Sequence, residues 1–178
     1  RVPEDKRVLD ACGAPGGKAL RLGSKGALVT AVDRNGERLD LIKDNAKRVR
    51  TPIKLVKHDW LRGPCSDLGS FSSVLLDAPC TGLGTIRRHP EIRWRRQESE
   101  LVDCHERQVR MLSAVTQHVS PGGSLVYSVC SVEPEETDEV VKAFEASRPD
   151  WRRDLTWCSA PPKNGEDAHF AVRWRAPA

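Results

Sequence analysis

Apolar runs that stop at an acid or a thiol constrain this chain more than any other feature. Val74-Leu75-Leu76 ends at Asp77-Ala78-Pro79-Cys80-Thr81-Gly82. Fifty residues after Cys80, the run Ser124-Leu125-Val126-Tyr127-Ser128-Val129 ends at Cys130-Ser131. Short apolar runs bounded by turn residues read as buried strands. Side chains that follow such strands sit at the carboxyl edge of a sheet, where open α/β sheets bind their ligands. The sequence therefore brings two cysteines to one edge.

The rest of the chain repeats the alternation. Residues 8–11 read as a first strand, followed by the glycine-rich turn Cys12-Gly13-Ala14-Pro15-Gly16-Gly17-Lys18 and a short helix. This turn has neither the Walker spacing nor the G-x-G-x-x-G pattern, which disfavours a nicotinamide dehydrogenase. Its glycines still allow close backbone approach to a ligand, and a helix N-terminus offers free amides. A second strand, 28–32, ends at Asp33, twenty residues after Gly13. That is the separation at which nucleotide-binding βαβ units place an acid on ribose hydroxyls.

Residues 37–49 form a helix with Leu39, Ile42, Ala46 and Val49 on one face, stopped by Thr51-Pro52. Residues 53–56 are a third strand, with Asp59 just beyond it. Residues 101–119 are the longest helix, with Leu101, Cys104, Leu112, Val115 and Val119 at core spacing, ended by Ser120-Pro121-Gly122-Gly123. Pro134, with Glu133, Glu135, Glu136 and Asp138, opens another helix running to about Ser147. Pro161 to Gly165 reads as a surface loop and 168–174 as a last strand. The expectation is a doubly wound, mostly parallel α/β sheet with helices on both faces.

At 178 residues the chain is read as one domain. It begins without methionine, which suggests a fragment of a longer protein. No apolar run reaches the roughly 20 residues of a membrane span. The six cysteines contain no C-x-x-C pair, so no zinc or other metal site is expected, and a reducing cytoplasm is the expected compartment. Cys12, Cys65, Cys104 and Cys158 read as small buried hydrophobes. Cys80 and Cys130 differ by position: a thiolate at the ligand edge, near Lys18 or Arg87, is a competent nucleophile.

Asp33 or Asp59 alone would be a turn acid. With Asp77 they mark three successive strand ends after a glycine turn, a pattern that suits a nucleoside: ribose on Asp33, adenine near Asp59, the charged end at the turn. The net charge of +4 is mild, yet Arg87, Arg88, Arg93, Arg95 and Arg96 crowd around Trp94 just past Cys80. On its own such a run is a solvated face. Beside a site it suits a nucleic acid, with arginines on phosphates and the indole on a base.

Three motifs carry a resemblance. Asp10-Ala11-Cys12-Gly13-Ala14-Pro15-Gly16-Gly17-Lys18, Asp77-Ala78-Pro79-Cys80-Thr81-Gly82 and Tyr127-Ser128-Val129-Cys130-Ser131 together resemble the Sun-type (Fmu) RNA cytosine-5 methyltransferases. Arg87-Arg88-His89-Pro90-Glu91 is similar to the branch that modifies bacterial small-subunit ribosomal RNA, and Asn164-Gly165-Glu166-Asp167-Ala168-His169-Phe170 resembles the family's closing segment. The family usually has Ala at the position of Gly13, Thr at that of Ala19 and Thr at that of Val129.

The resemblance implies a Rossmann-like methyltransferase fold, S-adenosylmethionine as cofactor and RNA as partner, with RNA-binding segments before the first strand. It implies that Cys12 to Lys18, Asp33, Asp59 and Asp77 line the cofactor site. It further implies that Cys130 is the nucleophile and Cys80 assists product release. Asp77 would act either on the base or only on the cofactor. Two readings stand beside this one: a transfer-RNA cytosine-5 methyltransferase, and a non-catalytic RNA-binding module of the same fold.

Overall fold

A computed structural model describes residues 6–159 and 166–178. Seven strands form one sheet: β1 (Arg7–Asp10), β2 (Leu28–Asp33), β3 (Ile53–Lys57), β4 (Phe71–Asp77), β5 (Val119–Val129), β6 (Arg152–Ser159) and β7 (His169–Arg175). Their spatial order is β3-β2-β1-β4-β5-β7-β6. The first five strands run parallel. β7 runs antiparallel between β5 and β6. The order reverses between β1 and β4, so the carboxyl ends of these two strands flank the crevice where a doubly wound sheet takes its ligand.

Alternate residues of β1 face opposite layers. Val8 packs with Ala19 of helix α1 (Gly17–Gly23) and with Leu39 and Ile42 of α2 (Gly36–Arg48). Leu9 packs in the larger core with Leu112 and Val115, which lie between the four-residue α3 (Ile92–Arg95) and β5 on helix α4 (Ser99–Thr116). Val140 and Phe144 of α5 (Asp138–Ser147) complete that layer. Burial on both faces is why β1, β2 and β4 read as near-continuous apolar runs. The start of α2 is set locally: the Asn35 side chain accepts from the Glu37 amide at 2.9 Å.

Several boundaries differ from the sequence reading. The long helix ends at Thr116, and Val119 begins β5. Ser120-Pro121-Gly122-Gly123 is not a helix stop but an irregularity inside β5, where the pairing moves from Phe71–Val119 to Ser73–Ser124. Proline and glycine are tolerated in a strand at such a bulge. Val49 follows the last turn of α2 and is exposed rather than on the core face. The acids after Cys130 split: Pro134–Glu136 is a 3-10 turn, and α5 starts after it. Strand β6 had not been expected. It lies at the sheet edge, and its largely exposed residues show no clean alternation. The expected loop 161–165 lies outside the described residues, as do Asn164 and Gly165 of the closing segment. Among the described residues, no helix is long and apolar enough to cross a membrane.

Candidate active site

A cleft of about 310 Å³ opens at the carboxyl ends of the strands, between the turn after β1 and the two thiols. Cys12 and Ala14 line it from the glycine turn; Asp33, Asp59, Asp77, Cys80 and Cys130 line it from the ends of β2 to β5. Seven of the twelve residues expected to form the site therefore face one cavity. Gly13, Pro15, Gly16, Gly17 and Lys18 are not among its lining residues.

The turn is locked to the sheet. The Gly13 amide donates to the Val32 carbonyl and the Gly16 amide to the Gly13 carbonyl. Gly16 has φ 110°, a conformation that favours glycine. A Cβ on Gly13 would lie 2.9 Å from the Ala31 Cβ, so this chain's departure from the family's Ala matches its own neighbour. Arg38 donates to the Ala14 carbonyl at 2.9 Å and lies 3.7 Å from Asp33.

Each acid is held differently. The buried Asp33 accepts the Asn35 amide at 2.9 Å, and Asp59 accepts the Leu61 amide at 3.1 Å, as turn acids do. Asp77 is bound at both oxygens, by the Ser128 hydroxyl at 2.6 Å and the Lys18 ammonium at 2.5 Å. Asp10, at the end of β1, is 1% exposed, and neither carboxylate oxygen has a hydrogen-bond partner. Burial and then the nearby Asp77 push it up to about 7, with Lys18 offsetting part of the rise.

The sulfurs of Cys80 and Cys130 are 3.2 Å apart. Cys130 is lowered to about 7, chiefly by the hydrogen bond from Cys80 and against its own burial. Cys80 moves the other way, raised by that same hydrogen bond and then by burial. The geometry lets either sulfur donate; the opposed directions correspond to donation by Cys80, the arrangement that favours a thiolate on Cys130. Lys18 and Arg87, the cations the sequence set beside the thiols, each face an acid. Asp77 engages the first, and Asp167 lies 3.6 Å from the second. Of the cysteines read as buried, Cys65 and Cys104 are so. Cys12 is half-buried in the cleft, and Cys158 is exposed on β6.

Residues not foreseen complete the cavity. Trp60 is buried and donates its indole N–H to the Ala11 carbonyl at 2.7 Å; Arg34, Arg38, His58, Arg107 and Met111 join the lining. The Trp60 position after Asp59 was the one available signal, since a buried indole needs an acceptor.

The basic segment divides in two. Arg87 and Arg88 close on Asp167, and Arg96 donates to the Thr81 carbonyl at 2.8 Å and pairs with Glu100. Arg93 and Arg95 make no ion pair among the described residues, and Trp94 is 88% exposed. Gly84 stitches the start of this loop to the site: its amide donates to the Cys130 carbonyl and its carbonyl accepts the Ala168 amide. A Cβ there would lie 2.1 Å from the Ala168 oxygen. Among the described residues, no group of three or more His, Cys, Asp or Glu is placed to hold a metal ion.

Known proteins resemble this chain in sequence and in fold. Ribosomal RNA small subunit methyltransferase B of Klebsiella pneumoniae subsp. pneumoniae is 39% identical over 165 residues, which is 90% of this chain and 38% of that protein. Its namesake in Salmonella agona is 40% identical over 149 residues, or 82% of this chain and 34% of that one. The chain thus spans little more than a third of the length of these relatives. The crystal structure of NSun6 from Pyrococcus horikoshii with SFG superimposes with a TM-score of 0.84 at 25% identity, covering 96% of this chain and 48% of that one. The sheet is the Rossmann-like fold of S-adenosylmethionine-dependent methyltransferases. The family described as 16S rRNA methyltransferase RsmB/F matches residues 1–174, and with that span matched, the chain belongs to this family.

Proposed function

We propose that this chain is the S-adenosylmethionine-dependent catalytic domain of an RNA cytosine-5 methyltransferase acting on small-subunit ribosomal RNA, and that further RNA-binding segments belong to the whole protein. The observation that carries this reading is the thiol pair, 3.2 Å apart at the end of a cleft lined by acids. The relatives' names support the RNA class.

The donor set fits the cofactor. The buried Asp33 offers carboxylate oxygens at the distance from the glycine turn that suits a ribose diol. Ala11, Trp60, Leu61 and Met111 supply apolar walls, and the volume lies within the range of small-molecule sites. When bound, S-adenosylmethionine supplies an electrophilic methyl group on its sulfonium. Both oxygens of Asp77 already act as acceptors, which favours a cofactor-facing role for it over proton donation to the base.

C5 of cytosine is a poor carbon nucleophile. The Cys130 thiolate adds to C6, its electron pair forming the S–C6 bond; C5 becomes enamine-like and takes the methyl as the sulfonium S–CH3 bond breaks, with S-adenosylhomocysteine as the leaving group. Loss of the C5 proton to a base then expels the thiolate and restores the ring. Cys80 holds the proton that Cys130 accepts by hydrogen bond, so it stabilises the thiolate both before addition and at its departure. Arg93, Trp94 and Arg95 present free charge and a stacking face to RNA, while Arg87, Arg88 and Arg96 order the loop that carries them.

The test is incubation of the full-length protein with labelled cofactor and unmodified ribosomal RNA, followed by identification of the labelled nucleoside. The reading expects 5-methylcytidine in the small-subunit RNA. Label in transfer RNA alone, at another base position, or in no RNA would reject it.

A further inference from the structure

The sequence places Glu136 among the first-turn acids of a helix. It is instead 0% exposed, and no ion pair reaches it among the described residues. Its Oε1 accepts the Thr81 amide at 2.9 Å and the Gln108 Nε2 at 3.1 Å; its Oε2 accepts the Thr81 hydroxyl at 2.5 Å. Gln108, also 0% exposed, gives the same Nε2 to the Pro79 carbonyl at 3.1 Å, while its Oε1 faces the Tyr127 hydroxyl at 2.9 Å. Only one orientation of that amide satisfies all three partners, because a flip would set its oxygen against the carboxylate. The Tyr127 hydroxyl also lies 2.7 Å from the Glu136 carbonyl, so its single proton serves one of two acceptors.

These bonds converge on one turn. The residue before Cys80 is held through its carbonyl, and the residue after it through its amide, hydroxyl and carbonyl, the last by Arg96. Cys80 itself is left with its sulfur against Cys130. We propose that Glu136 is a positioning residue for Cys80: with Gln108 and Thr81 it fixes the turn so that the Cys80 thiol points at the Cys130 sulfur. This rests on the reading that Cys80 serves Cys130.

A buried carboxylate is a costly way to hold a turn, since unpaired charge in a core is normally replaced by something apolar. Its charge has a second effect here. Negative charge beside a thiol opposes ionisation, and Glu136 adds to the rise of Cys80 after the Cys130 hydrogen bond, burial and the Cys130 charge. Geometry and charge thus work together to keep Cys80 as the donor.

The experiment maps alkylation by iodoacetamide in the full chain, without RNA, by peptide mass spectrometry at pH 7.5. In the unaltered protein Cys130 labels and Cys80 does not. In Glu136→Gln, and in Thr81→Val, Cys80 labelling rises roughly tenfold or more, the equivalent of one pKa unit. Thr81→Ser, which restores the hydroxyl, returns the pattern. General loosening would label the buried Cys65 in parallel. Unchanged Cys80 labelling, or a rise that Cys65 matches, overturns the proposal.

A second arm uses ordinary RNA and cofactor. Glu136→Gln accumulates the same covalent protein–RNA species as Cys80→Ala. If Cys80→Ala accumulates it and Glu136→Gln does not, the positioning role is overturned. If neither does while the labelling shift stands, the reading of Cys80 fails and the positioning of its thiol by Glu136 stands.

Discussion

The two ends of the cleft are built on different principles. At the acid end, Asp33 and Asp59 each take a backbone amide two residues further on, at 2.9 Å and 3.1 Å. At the thiol end, the main fixing bonds join distant parts of the chain: Thr81 and Glu136 are 55 residues apart, Gln108 and Pro79 29, Cys80 and Cys130 50. Local bonds set an acid wherever its turn goes. Long-range bonds set a thiol only once the whole α4, β5 and 3-10 assembly has closed. Asp33 and Asp59 are thus carried on their own turns, whereas Asp77, held by Ser128 and Lys18, and the thiol pair are products of the fold.

Substitutions can break this contrast, and the largest effect belongs to the thiol end. On the proposed mechanism Cys130→Ala should remove methyl transfer altogether, because without addition at C6 the C5 carbon would stay unreactive, while affinity for S-adenosylhomocysteine measured by calorimetry should remain within about twofold, well under the ~1.4 kcal/mol that a tenfold change represents. A parallel loss of cofactor affinity would mean that the two ends are not separable.

The next effect is on thiol reactivity. Since Cys130 is lowered to about 7 by its bond from Cys80, alkylation of Cys130 should rise with pH with its midpoint at about 7. Cys80→Ala deletes the donor while leaving Cys130 partly buried. The midpoint then moves up to the ordinary thiol value near 8.5 or beyond, a fall of thirtyfold or so in thiolate below pH 7. An unmoved midpoint would place the cause elsewhere.

Asp33→Ala tests the acid end. Loss of a charged acceptor to a ribose hydroxyl costs about 1.5–3 kcal/mol, so cofactor binding should weaken by roughly one to two powers of ten. The thermal shift given by S-adenosylhomocysteine shrinks accordingly, and the alkylation profile of Cys130 does not change. Coupled changes in both would contradict the division.

The smallest effect lies outside both ends. Arg93→Ala with Arg95→Ala should lower the magnitude of the salt slope of RNA binding by roughly 0.7 per lost phosphate contact, and Trp94→Ala should weaken binding without altering that slope. Arg88→Ala acts differently, since its partner Asp167 is mostly buried. It lowers the melting temperature rather than the slope. Equal slopes for all arginines would make the segment a uniform solvated face.

How far the sequence revealed this molecule follows the same division. Asp33, Asp59, the glycine turn and the parallel strands were legible because spacing and apolar runs are local signals. The convergence of Cys80 and Cys130 was legible only as two strands ending at one edge; their 3.2 Å approach and unequal ionisation were not. Glu136 was misread because acids after a proline suit a helix start, and nothing local tells a solvated glutamate from one that Thr81 and Gln108 enclose. Pro121-Gly122-Gly123 was misread for the opposite reason. A strong stop signal was absorbed by a bulge, since β5 pairs on both sides with β4 and β7. Strand β6 escaped notice because an edge strand with exposed Leu155 and Trp157 carries no buried face to write a period of two.

The roles of the two thiols are the core of the account, and a denaturing gel of the full chain after incubation with cofactor and ordinary RNA tests them directly. Cys80→Ala should accumulate a covalent protein–RNA band, and Cys130→Ala should show none, on ordinary RNA or on RNA carrying 5-fluorocytosine. A band in Cys130→Ala that Cys80→Ala lacks would make Cys80 the nucleophile and contradict the account.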